Sequence, residues 1–101
     1  MKKYRNKTVA FVIDVRSRLE FLFGHVPGAI CIPVQKVGHD AMERRGIPKD
    51  AGILLYCASG SRSALATNAL KQAGYTRVVD GGGIAAVKRD LRDATSGSSR
   101  P

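Results

Sequence analysis

The sequence predicts an α/β domain built on a parallel sheet of four to five strands. Four short apolar runs, Val9–Ile13, Ala29–Ile32, Ile53–Tyr56 and Arg77–Val79, alternate with helix-like segments. Each run is near-continuous rather than alternating, the pattern of strands buried on both faces. Repeated strand–helix–strand order requires parallel neighbours joined by right-handed crossovers. The chain has 101 residues, 44% of them hydrophobic, which suffices for one core. Residues 1–93 are read as a single domain. The tail 94–101 has little to bury and is expected to be disordered.

The elements follow in order. The first run ends at Asp14, and Leu19–Phe23 reads as a short turn of helix. Gly24-His25-Val26-Pro27-Gly28 is a turn, in which His25 is expected to hydrogen-bond the backbone. Cys31, between Ile30 and Ile32 in the second run, reads as inert core. Val34–Arg45 is expected to be helical, with His39 on its solvated face. Gly46–Gly52 is a loop. Ser61–Ala73 is the clearest helix: Leu65, Ala66, Ala69, Leu70 and Ala73 form an apolar stripe, Asn68, Lys71 and Gln72 face out, and Gly74 stops it. After the fourth run, Gly81-Gly82-Gly83 precedes a helix at Ile84–Leu91. A lone glycine cluster is weak evidence for phosphate binding, so it is read as close packing beside the loop at residue 57. The expected strand order is fourth, third, first, second, which makes the third run central.

Composition narrows the function. Seventeen basic residues against eight acidic give a formal charge of +9, which raises the local concentration of anions. The basic residues are scattered, aromatic residues are few, and no RNA-binding pattern is present, so nucleic acid is not expected as a partner. No run approaches the roughly 18 apolar residues of a membrane span. The basic start MKKYRNKTVAFVIDVR lacks a convincing signal-peptide core. Two cysteines without metal-ligand spacing suggest free thiols, no metal and no cofactor. A reducing, cytoplasmic location is expected, or a periplasmic one if a leader was removed.

The stretch Tyr56-Cys57-Ala58-Ser59-Gly60-Ser61-Arg62-Ser63 carries the chemistry. It puts a cysteine at the carboxyl end of a strand, where ligands sit in open parallel sheets. A tight loop of small residues follows, and then an arginine at a helix start. Loop N–H groups and the helix N-terminus favour negative charge, and Arg62 adds a cation. The expectation is a thiolate at Cys57 near neutral pH, poised for covalent sulfur chemistry. Gly60 is expected to take a positive φ and curl the loop. Ser59 and Ser61 offer hydroxyl donors, and Ser63 is read as a helix cap. Asp14 is either an anchor for the loop through Arg62 or, as the favoured reading, half of an ion pair between loops. Glu20 and His25 pose the same question.

Three segments resemble the rhodanese domain family. They are Asp14-Val15-Arg16 with Glu20-Phe21 and Gly24–Pro33; the loop Tyr56–Ser63; and Gly74-Tyr75 with Val78–Ile84. The similarity runs from about Phe11 to Val87 and is nearest the compact single-domain, phage-shock protein E type. It implies a three-layer α/β/α fold and thiosulfate sulfurtransferase activity through a persulfide on Cys57. It also implies that loop amides from Ala58 to Arg62 face the transferred sulfur. The implied substrates are a small anionic, thiosulfate-like donor and a thiol acceptor. Two positions depart from the family pattern: Ala58 stands where many members carry a basic residue, and Val87 where a tryptophan is common. The rival readings are a cysteine phosphatase or arsenate reductase, whose related loop is one residue longer, and a non-catalytic interaction module.

Overall fold

The computed structural model describes residues 1–93, and in it the four apolar runs lie side by side. The elements are β1 (Lys2–Tyr4), β2 (Lys7–Val9), β3 (Phe11–Asp14), α1 (Arg18–Phe23), β4 (Ile30–Cys31), α2 (His39–Arg44), β5 (Gly52–Cys57), α3 (Ser61–Gln72), β6 (Arg77–Gly83), α4 (Ile84–Asp90) and β7 (Leu91–Asp93). The parallel sheet runs β4-β3-β5-β6, the order expected from the sequence. Phe11 lies opposite Ile53 and Asp14 opposite Tyr56.

All six residues of β5 are buried, because the sheet is covered on both faces. Ile53, Leu55 and Cys57 enter one core with Ile13, Ile32, Met42 of α2, and Ala66 and Leu70 of α3. Leu54 and Tyr56 enter the other with Tyr4, Val9, Val12, Val26 and Val87 of α4. The period-two alternation of strand side chains thus feeds two cores from one continuous apolar run. The result is a three-layer α/β/α arrangement.

Four expectations need correction. The run Val9–Ile13 breaks at Ala10, whose N–H donates to Gly52 O at 2.8 Å. Its first part belongs to a second, antiparallel sheet ordered β2-β1-β7. The helix expected to reach Leu91 therefore ends at Asp90, and Leu91 pairs with Tyr4. The helix expected over Val34–Arg45 is instead a 3-10 turn at Val34–Lys36 followed by α2. Gly38, a poor helix former, stands between them in extended backbone. The expected tail at 94–101 lies outside the described residues.

The fourth correction concerns the phase of α3. Its buried side chains are Ser63, Ala66, Thr67 and Leu70, the i, i+3, i+4, i+7 set. Leu65 is 67% exposed, and Ala69 also faces out. Two polar residues take the inner face, because Ser63 is turned in by the loop that precedes it. A consequence is measurable by urea denaturation. Leu70→Ala should cost about 2–5 kcal/mol, as core truncations do, whereas Leu65→Ala should stay within about 0.5 kcal/mol.

Candidate active site

Cys57 ends the central strand and α3 begins four residues later, so Ala58-Ser59-Gly60 must turn the chain sharply. Gly60 sits at φ 115°, a conformation costly for residues with a Cβ, as the sequence led us to expect. That turn aims backbone donors at sulfur. Gly60 N–H donates to Cys57 Sγ at 2.9 Å and Ser63 N–H at 3.4 Å. Cys57 itself is fully buried. Burial pushes its thiol up, but the Ser63 and Gly60 N–H groups, the Ser63 hydroxyl and the Ser59 N–H outweigh it. The net shift is below the ordinary thiol value.

Glycines on β6 let the loop sit this close. A Cβ on Gly83 would lie 2.8 Å from Ala58 O, and one on Gly81 would lie 2.8 Å from Val87 Cγ2 and 2.9 Å from Leu54 Cδ1. This bears out the packing reading of the triple glycine. Cys57 pairs with Gly83 only after a register shift between Leu55 and Cys57.

Ser63 is not the helix cap. Gly60 takes the N-cap position and supplies no side chain. The Ser63 hydroxyl instead lies 2.7 Å from Asp80 Oδ1 and 3.0 Å from Gly60 O. Asp80 Oδ1 also accepts the Gly82 N–H at 2.9 Å. Asp80 is thus a positioning residue that the sequence reading missed. The available signal was an Asp opening a glycine run, which favours a side-chain-capped turn.

Arg62 also differs from expectation. Its guanidinium donates to both oxygens of Glu20, Nη1 to Oε1 at 2.8 Å and Nη2 to Oε2 at 3.1 Å. The same carboxylate accepts the Ser17 N–H at 3.0 Å, closing a capping box that starts α1. Bonded first to Arg62 and then to Ser17, the Glu20 carboxyl is lowered to about 2. It therefore stays charged at neutral and mildly acid pH. The cation of Arg62 is matched by this carboxylate, and the lowering of the Cys57 thiol comes chiefly from peptide N–H groups.

Asp14 does not reach Arg62. It is fully buried and pairs locally with Arg16, whose Nη2 lies 2.7 Å from Oδ2 and whose N–H lies 2.9 Å from Oδ1. Arg16 Nη2 also donates to Gly24 O at 2.6 Å, holding the turn after α1. His25 stacks on Phe21 at 3.7 Å between centroids, its Nδ1 2.9 Å from Phe21 O, the structural role expected of it. His39 is exposed, within 3.7 Å of Asp40 and of Glu43. Cys31 is free and buried, 3.9 Å from Arg16 O, and burial raises its thiol. The structure therefore brings Cys57, Gly60 and Ser63 together, with Arg62 beside them. Ala58, Ser59 and Ser61 are exposed around this cradle.

Comparison with known proteins points the same way. The model of the "Rhodanese-like domain" family matches residues 1–89. A sulfurtransferase of Allochromatium vinosum is 38% identical over 79 residues, covering 77% of this chain and 71% of its own length. The thiosulfate sulfurtransferase PspE of Escherichia coli is 35% identical over 72 residues, covering 71% of this chain and 68% of that protein. Other relatives are much longer. The chain spans 18% of an adenylyltransferase and sulfurtransferase, uba4, from Ogataea parapolymorpha. Among solved structures, a rhodanese with anions from E. coli superposes with a TM-score of 0.71 at 30% identity, over 83% of this chain and 98% of that one. Sequence, fold and loop agree: the chain belongs to the rhodanese-like sulfurtransferase family.

Proposed function

We propose that this protein transfers a sulfane sulfur from thiosulfate, or a similar anionic donor, to a thiophilic acceptor through a persulfide on Cys57. The observation that carries the reading is the pair of N–H groups on Sγ, at 2.9 and 3.4 Å, with the thiol held low inside a buried cradle. A preformed thiolate needs no general base. Its lone pair attacks the outer sulfur of thiosulfate, forming an Sγ–S bond. The donor's own S–S bond breaks, and sulfite leaves with that electron pair. The negative charge moves from Sγ to the terminal sulfur, so donors aimed at this pocket support both states. An acceptor such as cyanide or a cellular thiolate then attacks the terminal sulfur and regenerates the Cys57 thiolate.

The loop residues divide the work. Gly60 and Ser63 hold the sulfur, and Ala58, Ser59 and Ser61 form the side from which the donor approaches. The Ser59 and Ser61 hydroxyls are available to the departing sulfite. Arg62 lines this side and attracts the anionic donor, tempered by Glu20. A loop of six residues from Cys57 to Arg62 suits a single sulfur better than a tetrahedral phosphate. The name of the E. coli relative supports thiosulfate as donor.

Four measurements test this. Incubation with thiosulfate should add one sulfur atom to Cys57 by mass spectrometry, removable by reductant. Cys57→Ser should abolish both loading and turnover while unfolding as the parent does; an active serine variant refutes the assignment. Alkylation should rise with pH as the thiolate forms and level off above its pKa. Because that pKa is lowered, the rise should fall at lower pH than for free cysteine, near 8.5. Ser63→Ala removes a stabilising donor and should move the rise to higher pH. In Glu20→Gln the Arg62 cation is no longer neutralised. KM for thiosulfate should drop about threefold at low salt, the scale of one partly exposed charge pair, and the gain should vanish as salt is raised.

A further inference from the structure

Beyond the ends of β3 and β4, two cavities of about 310 and 330 Å³ adjoin, sharing Arg18, Pro33 and Lys36. The first reaches Arg62 at the active loop, and the second ends at Arg44 and Arg45. The floor is apolar, with Val15, Val34 and Ile32 in its lining. Arg18, Lys36 and Arg44 make no ion pair among the described residues. A row of uncompensated cations beside an apolar floor is far longer than a single sulfur oxyanion requires.

The flank of this trough adds a second observation. Glu20 ties α1 to the first turn of α3. These two helices carry Leu19, Leu22, Phe23 and Leu65, four of the five large hydrophobic side chains exposed by at least 64% among the described residues. No residue of α1 is buried. Exposed apolar side chains on two helices joined at the active loop mark a contact surface for another macromolecule. A small anion gains nothing from them.

We propose that the trough from Arg62 through Arg18 and Lys36 to Arg44 and Arg45 docks an acidic, partly apolar polypeptide that presents a thiol to Cys57 as sulfur acceptor. Charge complementarity selects the partner: the protein carries +9, and the unpaired Arg18 and Lys36 line the cavity that reaches Arg62 on the active loop. The acceptor thiolate attacks the terminal sulfur of the Cys57 persulfide. A new S–S bond forms on the acceptor, the Sγ–S bond breaks, and its electron pair returns to Sγ. The transfer step rests on the sulfurtransferase reading; the docking step does not.

The probes are short fluorescent peptides of alternating glutamate and leucine ending in cysteine, with lysine–leucine counterparts. Binding is read by anisotropy on Cys57→Ser protein, and transfer on sulfur-loaded wild type. The glutamate peptide should bind and accept sulfur, and both should weaken as salt rises to about 0.5 M. In the double variant Lys36→Glu/Arg44→Glu, the transfer rate to the glutamate peptide relative to the lysine peptide should fall about tenfold. Reversing two exposed charges is worth about 1–2 kcal/mol. An unchanged ratio overturns the proposal. So does equally tight competition by free citrate, which would make the trough a small-anion site. If thiosulfate fails to load wild-type Cys57 while the peptide still binds, the sulfurtransferase reading falls and the docking surface stands.

Discussion

A buried sulfur whose thiol is held below its ordinary pKa is the constraint around which this chain is arranged. Placing Cys57 at the end of a fully covered strand excludes water and alone would push the thiol pKa up. The N–H groups of Gly60 and Ser63 push it down and help to outweigh that rise. They reach Sγ only because the chain turns within three residues, which demands the positive φ at Gly60. The turn in turn needs room, and Gly81 and Gly83 of β6 provide it by lacking side chains where Ala58, Leu54 and Val87 approach. Ser63, turned inward to bond Asp80, then sets the phase of α3 and leaves Leu65 outside. One electrostatic requirement at a single atom thus propagates into a helix face and a strand composition.

Charge plays a different part from dipoles here. Arg62 and Arg16 each have an assigned carboxylate, Glu20 and Asp14 respectively. Neither guanidinium is directed at sulfur. A fixed cation beside Sγ would also bind any passing anion and would be screened by salt. Oriented N–H groups inside a dry cradle favour one small charged atom and are insensitive to ionic strength. Glu20 joins the two systems. Its carboxylate closes the cap of α1 and clamps the arginine that begins α3, so the helix bearing Leu19, Leu22 and Phe23 is tied to the reactive loop.

What could be read from residues alone follows the strength of the local signal. The four parallel strands and their order were legible because continuous apolar runs bounded by turns have few alternatives. The cysteine, the curling glycine and the close-packed glycines were legible because each answers a local steric need. Side-chain partnerships were not. Nothing in spacing distinguishes Asp14 from Glu20 as the partner of Arg62: Asp14 closes β3, Glu20 follows in α1, and only the direction of α1 decides. Likewise, Ser63 looked like a cap because its donor and acceptor could serve the backbone; Asp80, 17 residues away, claims it instead. Strands of three residues rich in lysine, such as β1, carry no periodicity to detect.

Those unread terminal strands nonetheless bear on the site. β1 pairs with both β2 and β7, joining the first and last described segments. Tyr4, almost fully buried, projects from β1 into the core shared with Leu54, Tyr56 and Val87. Its hydroxyl donates to Gly81 O at 3.1 Å, on the stretch of β6 that packs against the active loop. Glycine-rich strand is intrinsically floppy because each glycine loses more backbone entropy on ordering than other residues do. A run of three at the place where the cradle needs a firm wall is therefore a weakness. The Tyr4 hydrogen bond, the Asp80 carboxylate on Gly82 N–H and the Val87 methyl against Gly81 each remove freedom from it. The small antiparallel sheet acts as a brace, supplying from outside the parallel sheet the rigidity that close approach to sulfur costs β6.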